Sequence, residues 1–125
     1  MKSRIKIPTY NDGILKIYKI CQDEDIQASK YLLDTGIKVC YEELSVSDKL
    51  RSSLEGNSID ITMKIRIPYI SKKYIDSNCV VEIDEKTHKV YNVYSFTDND
   101  GFKKLDITLT NWEDVYEKRK TDRNT

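Results

Sequence analysis

From Gly13 onward the chain is a succession of short segments in which apolar residues recur every second position, separated by polar turns. The longest of these, Ser58 to Pro68, places Ile59, Ile61, Met63, Ile65 and Ile67 on one side and Asp60, Thr62, Lys64 and Arg66 on the other. A period of two over this length predicts a strand with one face in a core and one in water, ended by Pro68, which lacks a ladder donor. FKKLDITLTNW repeats the pattern with Leu105, Ile107 and Leu109 inward. GILKIYKI (13–20), IKVCYEEL (37–44), NCVVEID (78–84) and KVYNVYSF (89–96) are rich in β-branched and aromatic residues and predict further strands. The alternation of KVYNVYSF is imperfect, which predicts burial on both faces or a bulge.

The intervening segments carry turn chemistry. Asp98-Asn99-Asp100-Gly101 reads as a hairpin tip, because Asn, Asp and Gly tolerate positive φ and Asx side chains bond their own backbone. A calcium loop aligned on Gly101 would put Phe96 and Ile107 where oxygen ligands are needed. Glu85 to His88 reads as a short polar turn with a solvated imidazole, and residues 69–78 as a connection containing a helical turn. CQDEDIQASKYLLDTG (21–36) reads as a polar loop whose Asp23, Glu24 and Asp25 are solvated. SVSDKLRSSLEG has helix chemistry: a capping-box-like Ser45 and Asp48, Leu50 and Leu54 four apart, and a closing Gly56. The expected fold is mainly β: a small antiparallel β-barrel or sandwich of five to six strands with one short helix at about residues 46–55. Residues 1–112 form its single domain. Residues 113–125, nearly devoid of apolar side chains, are expected as a polar tail, flexible or docking on a partner.

Charge adds little. The 21 basic and 21 acidic residues balance, so nothing global attracts nucleic acid or a membrane surface. No apolar run reaches the roughly 20 residues needed to span a bilayer, and the N-terminus lacks the apolar centre of a signal peptide, so a cytoplasmic protein is expected. Cys21, Cys40 and Cys79 stand singly inside apolar segments and are expected as buried free thiols. With His88 the only imidazole, neither an ordinary zinc site nor a Cys-His nucleophile is indicated; no cofactor, metal ligand or catalytic residue is nominated.

The segments VCYEELSVSDKLRSSLEG, IDITMKIRIPYI, CVVEIDEKTHKVYNV and TDNDGFKKLDITLTNW follow one another as do those of a known family. The span from Ile37 to Trp112 resembles the head-closure, or head-tail joining, proteins of tailed bacteriophages, their prophages and phage-tail-like particles. That resemblance implies a β-barrel neck component in the virion, assembled in the host cytoplasm as a homo-oligomeric ring. The portal or an adaptor would lie on one side and the tail terminator or tube on the other. DNA would pass through its channel without sequence-specific binding, and its role would be mechanical, with no enzymatic step. Under this reading Tyr69, Lys72, Lys73, Tyr74 and Tyr116 are the candidate interface residues, because interfaces favour Tyr and adaptable polar groups. The competing expectation is a nucleic-acid-binding barrel of the OB type, which needs aromatic and basic side chains on one exposed strand face. The outward face of the longest strand, Asp60 to Arg66, holds no aromatic residue. A small hydrolase is the weakest alternative, and an adaptor or tail terminator would be a related neck role.

Overall fold

The computed structural model describes residues 9–24, 29–47, 56 and 60–120. Seven strands account for its regular structure: β1 (Gly13–Gln22), β2 (Lys30–Leu44), β3 (Ile61–Pro68), β4 (Cys79–Ile83), β5 (Lys86–Thr97), β6 (Lys103–Asn111) and β7 (Glu117–Lys120). They form one sheet in the order β1-β4-β5-β6-β3-β2-β7, and β1 also pairs with β2, so the first six strands close into a ring. Every pairing in the ring is antiparallel; only β7 runs parallel to its neighbour, β2. The fold is thus mainly β, as the alternating segments predict. No helix occurs among the described residues. Residues 48–55 of the expected helix lie outside them, and Ser45 to Ser47 carry no regular structure.

Closure depends on β2, and here the sequence misleads. Lys30 to Gly36, expected as the end of a polar loop, are strand; Gln22 pairs with Lys30, and the Asp23 N–H donates to the Ser29 carbonyl at 2.8 Å. A bulge at Thr35–Ile37 follows, since Lys16 pairs with Lys38 while Tyr18 pairs with Asp34, leaving one residue of β1 opposite three of β2. Gly36 takes φ 76°, where a side chain would be strained. Its N–H donates to Asp34 Oδ1 at 2.8 Å, and the Thr35 hydroxyl donates to the Ile17 carbonyl at 2.7 Å. β2 therefore follows β1 from Lys30 to Tyr41, on either side of the bulge. Its other edge serves β7 at Tyr31–Asp34 and β3 at Glu42–Leu44. The same Asp-Thr-Gly that reads as a loop signal is the bend that lets a single strand close the ring.

The core inside the ring is as the alternation requires. Ile65 and Ile67 of β3 pair with Ile107 and Leu105 of β6, and all four are fully buried. Each contributes about 1.5–3 kcal/mol relative to exposure. Ile61 is buried with them and Met63 packs partly against them. Ile59 lies outside the described residues. The irregular alternation of β5 is a bulge: Val90 pairs with Leu109 and Asn92 with Thr108, so Tyr91 is the extra residue. Thr62 is the extra residue on the opposite side of β6, between Ile61 and Met63.

A second cluster lies on the outside of β1, β2 and β4, where Tyr18, Leu32 and Val80 are covered by Trp112 and Tyr116. It explains why Ile17 and Tyr18, and likewise Val80 and Val81, are buried as adjacent pairs: one of each faces the ring core and the other faces the C-terminal segment. That segment, expected as a flexible or partner-docking tail, returns to its own sheet. Glu117–Lys120 pair with Tyr31–Asp34, held by Lys118 to Glu82 and by Arg119 to Asp23 at 2.9 Å. Residues 121–125 lie outside the described residues.

Candidate functional site

The connection between β3 and β4 carries four of the five nominated interface residues. A turn closes it, the Tyr74 N–H donating to the Ser71 carbonyl at 2.9 Å, and fully buried Ile75 anchors it to the core. Tyr69 and Tyr74 remain 43% and 40% exposed. Each has a lysine ammonium over its ring, Lys103 at 5.2 Å from Tyr69 and Lys73 at 4.9 Å from Tyr74. Lys72 stands at a depression of about 260 Å³ shared with Asp76, Ser77, Tyr91 and Asn92, which brings the connection beside β5. Lys89 of β5 donates to the Ser77 carbonyl across the same gap. Tyr116 does not join this group. Its ring meets Trp112 edge-on at 5.1 Å over the cluster of Tyr18, Leu32 and Val80, so it secures the C-terminal segment to its own chain.

The outer face of β5 contributes residues that sequence reasoning passed over. Beyond the Tyr91 bulge, Tyr94 and Phe96 point outward and stack at 5.8 Å with 17° between their planes, Tyr94 being 61% exposed. The Arg66 guanidinium lies 5.0 Å from the Phe96 ring centre. Strand register makes this contact: Arg66 pairs with Asp106, which pairs with Tyr94, and Phe96 pairs with Lys104. The outward face of β3 has no aromatic residue of its own, but β5, two strands away, supplies two. The signal was the displaced alternation of KVYNVYSF once one residue is allowed to bulge. Both cations here are engaged. Arg66 holds Asp106 through two bonds of 2.7 and 3.1 Å, and that hydrogen bonding raises its pKa despite partial burial. Lys104 pairs with Asp98 at 2.9 Å.

Asp98 itself is the organiser of the β5–β6 tip. Its Oδ1 accepts the N–H groups of Asp100 and Phe102, both at 2.9 Å, and Gly101 takes φ 88°. The Lys104 bond, followed by the Phe102 N–H, holds this carboxyl below its usual range. Its two oxygens are thus committed to the turn. The preceding β4–β5 hairpin turns at Asp84 and Glu85, with φ of 51° and 66°, between the paired Ile83 and Lys86. Positive φ at both central positions is the type I′ arrangement, whose twist matches the flanking strands.

This places the turn one residue earlier than expected and corrects His88, which is not a solvated turn imidazole. It is buried in β5 with Nδ1 2.8 Å from the Thr62 hydroxyl oxygen, and burial, aided by Lys86, lowers its pKa from the ordinary 6.5. His88 and Tyr41 line a pocket of about 460 Å³ at one end of the ring, with Asp12, Glu43, Asp84 and Lys86 around it. The cysteines differ from one another. Cys79 is buried with its pKa pushed up to about 11, Cys21 is half-buried, and Cys40, expected inside, is exposed on β2. Cys40 pairs with Ile14, which is also exposed, because this part of β2 beyond the bulge turns its even-numbered positions outward.

No protein-family model matches the chain, and a search of curated proteins found no match.

Proposed function

We propose that this chain is a structural neck component of a tailed phage or phage-tail-like particle, a head-closure or head-tail joining protein that works as a subunit of a ring. Its ring-closed sheet suits the small antiparallel barrel that this role calls for. The observation that carries the reading is the band of exposed Tyr69, Tyr74, Tyr91 and Tyr94 along β5 and the connection beside it, each 40–61% exposed and interspersed with lysines. Large, stiff aromatic rings with polar tips are the usual anchors of protein interfaces, and they contribute area at low cost in side-chain entropy. The portal or adaptor would meet one face of such a ring and the tail components the other, with DNA passing between them.

A second reading has one specific observation in its favour. The Tyr94–Phe96 stack beside Arg66 and Lys104 is the kind of aromatic and basic strand face on which single-stranded bases stack. Against it, Arg66 and Lys104 are each paired with a carboxylate, so the face offers little net positive charge to phosphates. Native mass spectrometry of the full chain, alone, with the products of the genes flanking its own, and with a single-stranded oligonucleotide, separates the two. A ring formed with a neighbouring gene product supports the neck role. A monomer that ignores those products and binds the oligonucleotide, with loss of binding in Tyr94→Ala, supports the second reading and overturns the first.

A further inference from the structure

β5 outruns one of its neighbours. β4 pairs with it only from Lys86 to Lys89, whereas β6 follows it to Thr97. From Tyr91 to Thr97 the edge of β5 on the β4 side therefore has no strand partner among the described residues, and no backbone group there bonds to the connection beside it. A depression of about 260 Å³ lies between Lys72 and Ser77 of the connection and Asn92 and Val93 of the strand. Beyond the Tyr91 bulge, Asn92 to Thr97 run in unbroken register with Thr108 to Lys103. Alternate residues of this stretch, about three of them, direct both N–H and C=O away from β6.

What sets this edge apart is its chemistry. Charged residues make up 34% of the chain, yet Tyr-Asn-Val-Tyr-Ser-Phe-Thr has no charge, no Pro and no Gly. The outer edge of β7 reads Glu-Lys-Arg-Lys, and the stretch of β2 between its pairings with β7 and β3 is bent by its bulge and carries Lys38. Charges and bulges keep sheet edges from pairing, and β5 has neither after Tyr91. The two ends of its edge differ in sign. Lys72 stands at the start, with Lys73 next to it in the chain, and Asp98 and Asp100 follow the end at the β5–β6 tip. Lys72, Lys73 and Asp100 join no ion pair among the described residues. An antiparallel strand of the same sequence sets start against end, so a basic end meets an acidic tip on both sides.

We propose that two copies of this chain pair edge to edge through Asn92–Thr97, antiparallel and about a two-fold axis, so that their sheets run on as one. Backbone hydrogen bonds make the ladder, and Tyr94 and Phe96 meet their counterparts across the outer face. Lys72 and Lys73 of each copy reach the Asp100 tip of the other. The contact is isologous and uses up both open edges, so it stops at two copies. It goes beyond the neck reading, competes with it for Tyr91 and Tyr94, and needs no other gene product.

Sedimentation equilibrium and amide hydrogen exchange of the full chain alone test the pair. A monomer–dimer equilibrium is expected, with exchange at about three alternate amides of Asn92–Thr97 slowing as the concentration rises. Ser95→Lys, at an exposed position, sets two ammonium groups near the axis and is expected to leave a folded monomer. Lys72→Glu with Lys73→Glu in one chain, and Asp100→Lys in another, are each expected to weaken dimerisation about tenfold. Mixed, these two variants oppose unlike charges at both ends and are expected to form a heterodimer of parental affinity. A chain that stays monomeric at every concentration, association beyond two copies, association unaffected by Ser95→Lys, or charge variants that do not rescue one another overturns the proposal.

Discussion

β6 and β7 belong to the same sheet and are held there by unlike forces. β6 lies between β3 and β5 and buries Leu105, Ile107 and Leu109 completely. β7 reads Glu-Lys-Arg-Lys, has no apolar side chain, and hangs at the end of the strand order. Its attachments are Lys118 to Glu82, Arg119 to Asp23, and the same two cations lying 5.2 Å over Tyr18 and 4.1 Å over Tyr31. Burial of apolar area is not screened by salt, whereas paired charges near water are. The ring and its appended strand should thus respond to different perturbations, and the order of those responses measures how separate the two are.

The harshest test attacks the ring. Ile65→Asp places an unpaired carboxylate in a fully buried position opposite Ile107, at a cost of several kcal/mol against a total stability of about 5–15 kcal/mol for a domain. Soluble folded protein should vanish, as read by circular dichroism and by the soluble fraction on expression. A variant that melts like the parent would mean that β3 presents its other face to the core.

Removing the appended strand should do much less. A chain ending at Trp112 keeps all six ring strands but loses β7 and Tyr116, leaving Tyr18, Leu32 and Val80 covered from the C-terminal segment by Trp112 alone. A loss of about 1–3 kcal/mol, the value of one large buried side chain, is expected in urea titrations, with the cooperative unfolding transition retained. A truncated chain with no transition would make the C-terminal segment part of one indivisible core.

The single imidazole sits within the ring, so its titration reports there and not at β7. Burial lowers the His88 pKa, hence between the folded value and the ordinary 6.5 the unfolded chain binds the proton that the folded chain refuses. Stability is then complete above 6.5 and declines as the pH falls through that value toward the folded pKa. The melting temperature of the parent should drop across this window, and that of His88→Gln should drop less. Equal slopes would show that other groups govern the acid limb.

The same contrast explains what could be read from the chain and what could not. Ile61 to Ile67 and Leu105 to Leu109 announce themselves because a buried strand needs apolar residues every second position, and the tip at Asp98–Gly101 does so because positive φ needs Gly or an Asx residue. β7 carries no such pattern; its place is fixed by Asp23, 96 positions away from Arg119 in sequence. Lys30–Asp34 were hidden because Asp-Thr-Gly serves equally in a loop and in a bulge. Of the nominated surface, the connection with Tyr69, Lys72, Lys73 and Tyr74 is exposed, in keeping with its polarity. Tyr94 and Phe96 were missed because a one-residue bulge at Tyr91 reverses which positions face outward, and Tyr41 with His88 because residues from four elements meet only after closure.

The smallest effect should be the most specific. Arg119→Ala removes the guanidinium that binds both oxygens of Asp23, reaches Glu117 and covers Tyr31, leaving the ladder between β7 and β2 without its main clasp. Exposed ion pairs contribute little to global stability, so the urea midpoint should scarcely move. Local opening is another matter, because a four-residue strand at a sheet edge can detach without disturbing the ring. The amides that pair with β7, at Tyr31 to Asp34, should exchange with solvent faster in the variant, while those of β6 stay protected. High salt should quicken the same amides in the parent and add little in the variant, since the screened interaction is already gone. Faster exchange at β6 as well would show that the clasp steadies the whole sheet; unchanged exchange at Tyr31–Asp34 would mean that backbone pairing and Tyr116 hold β7 without it.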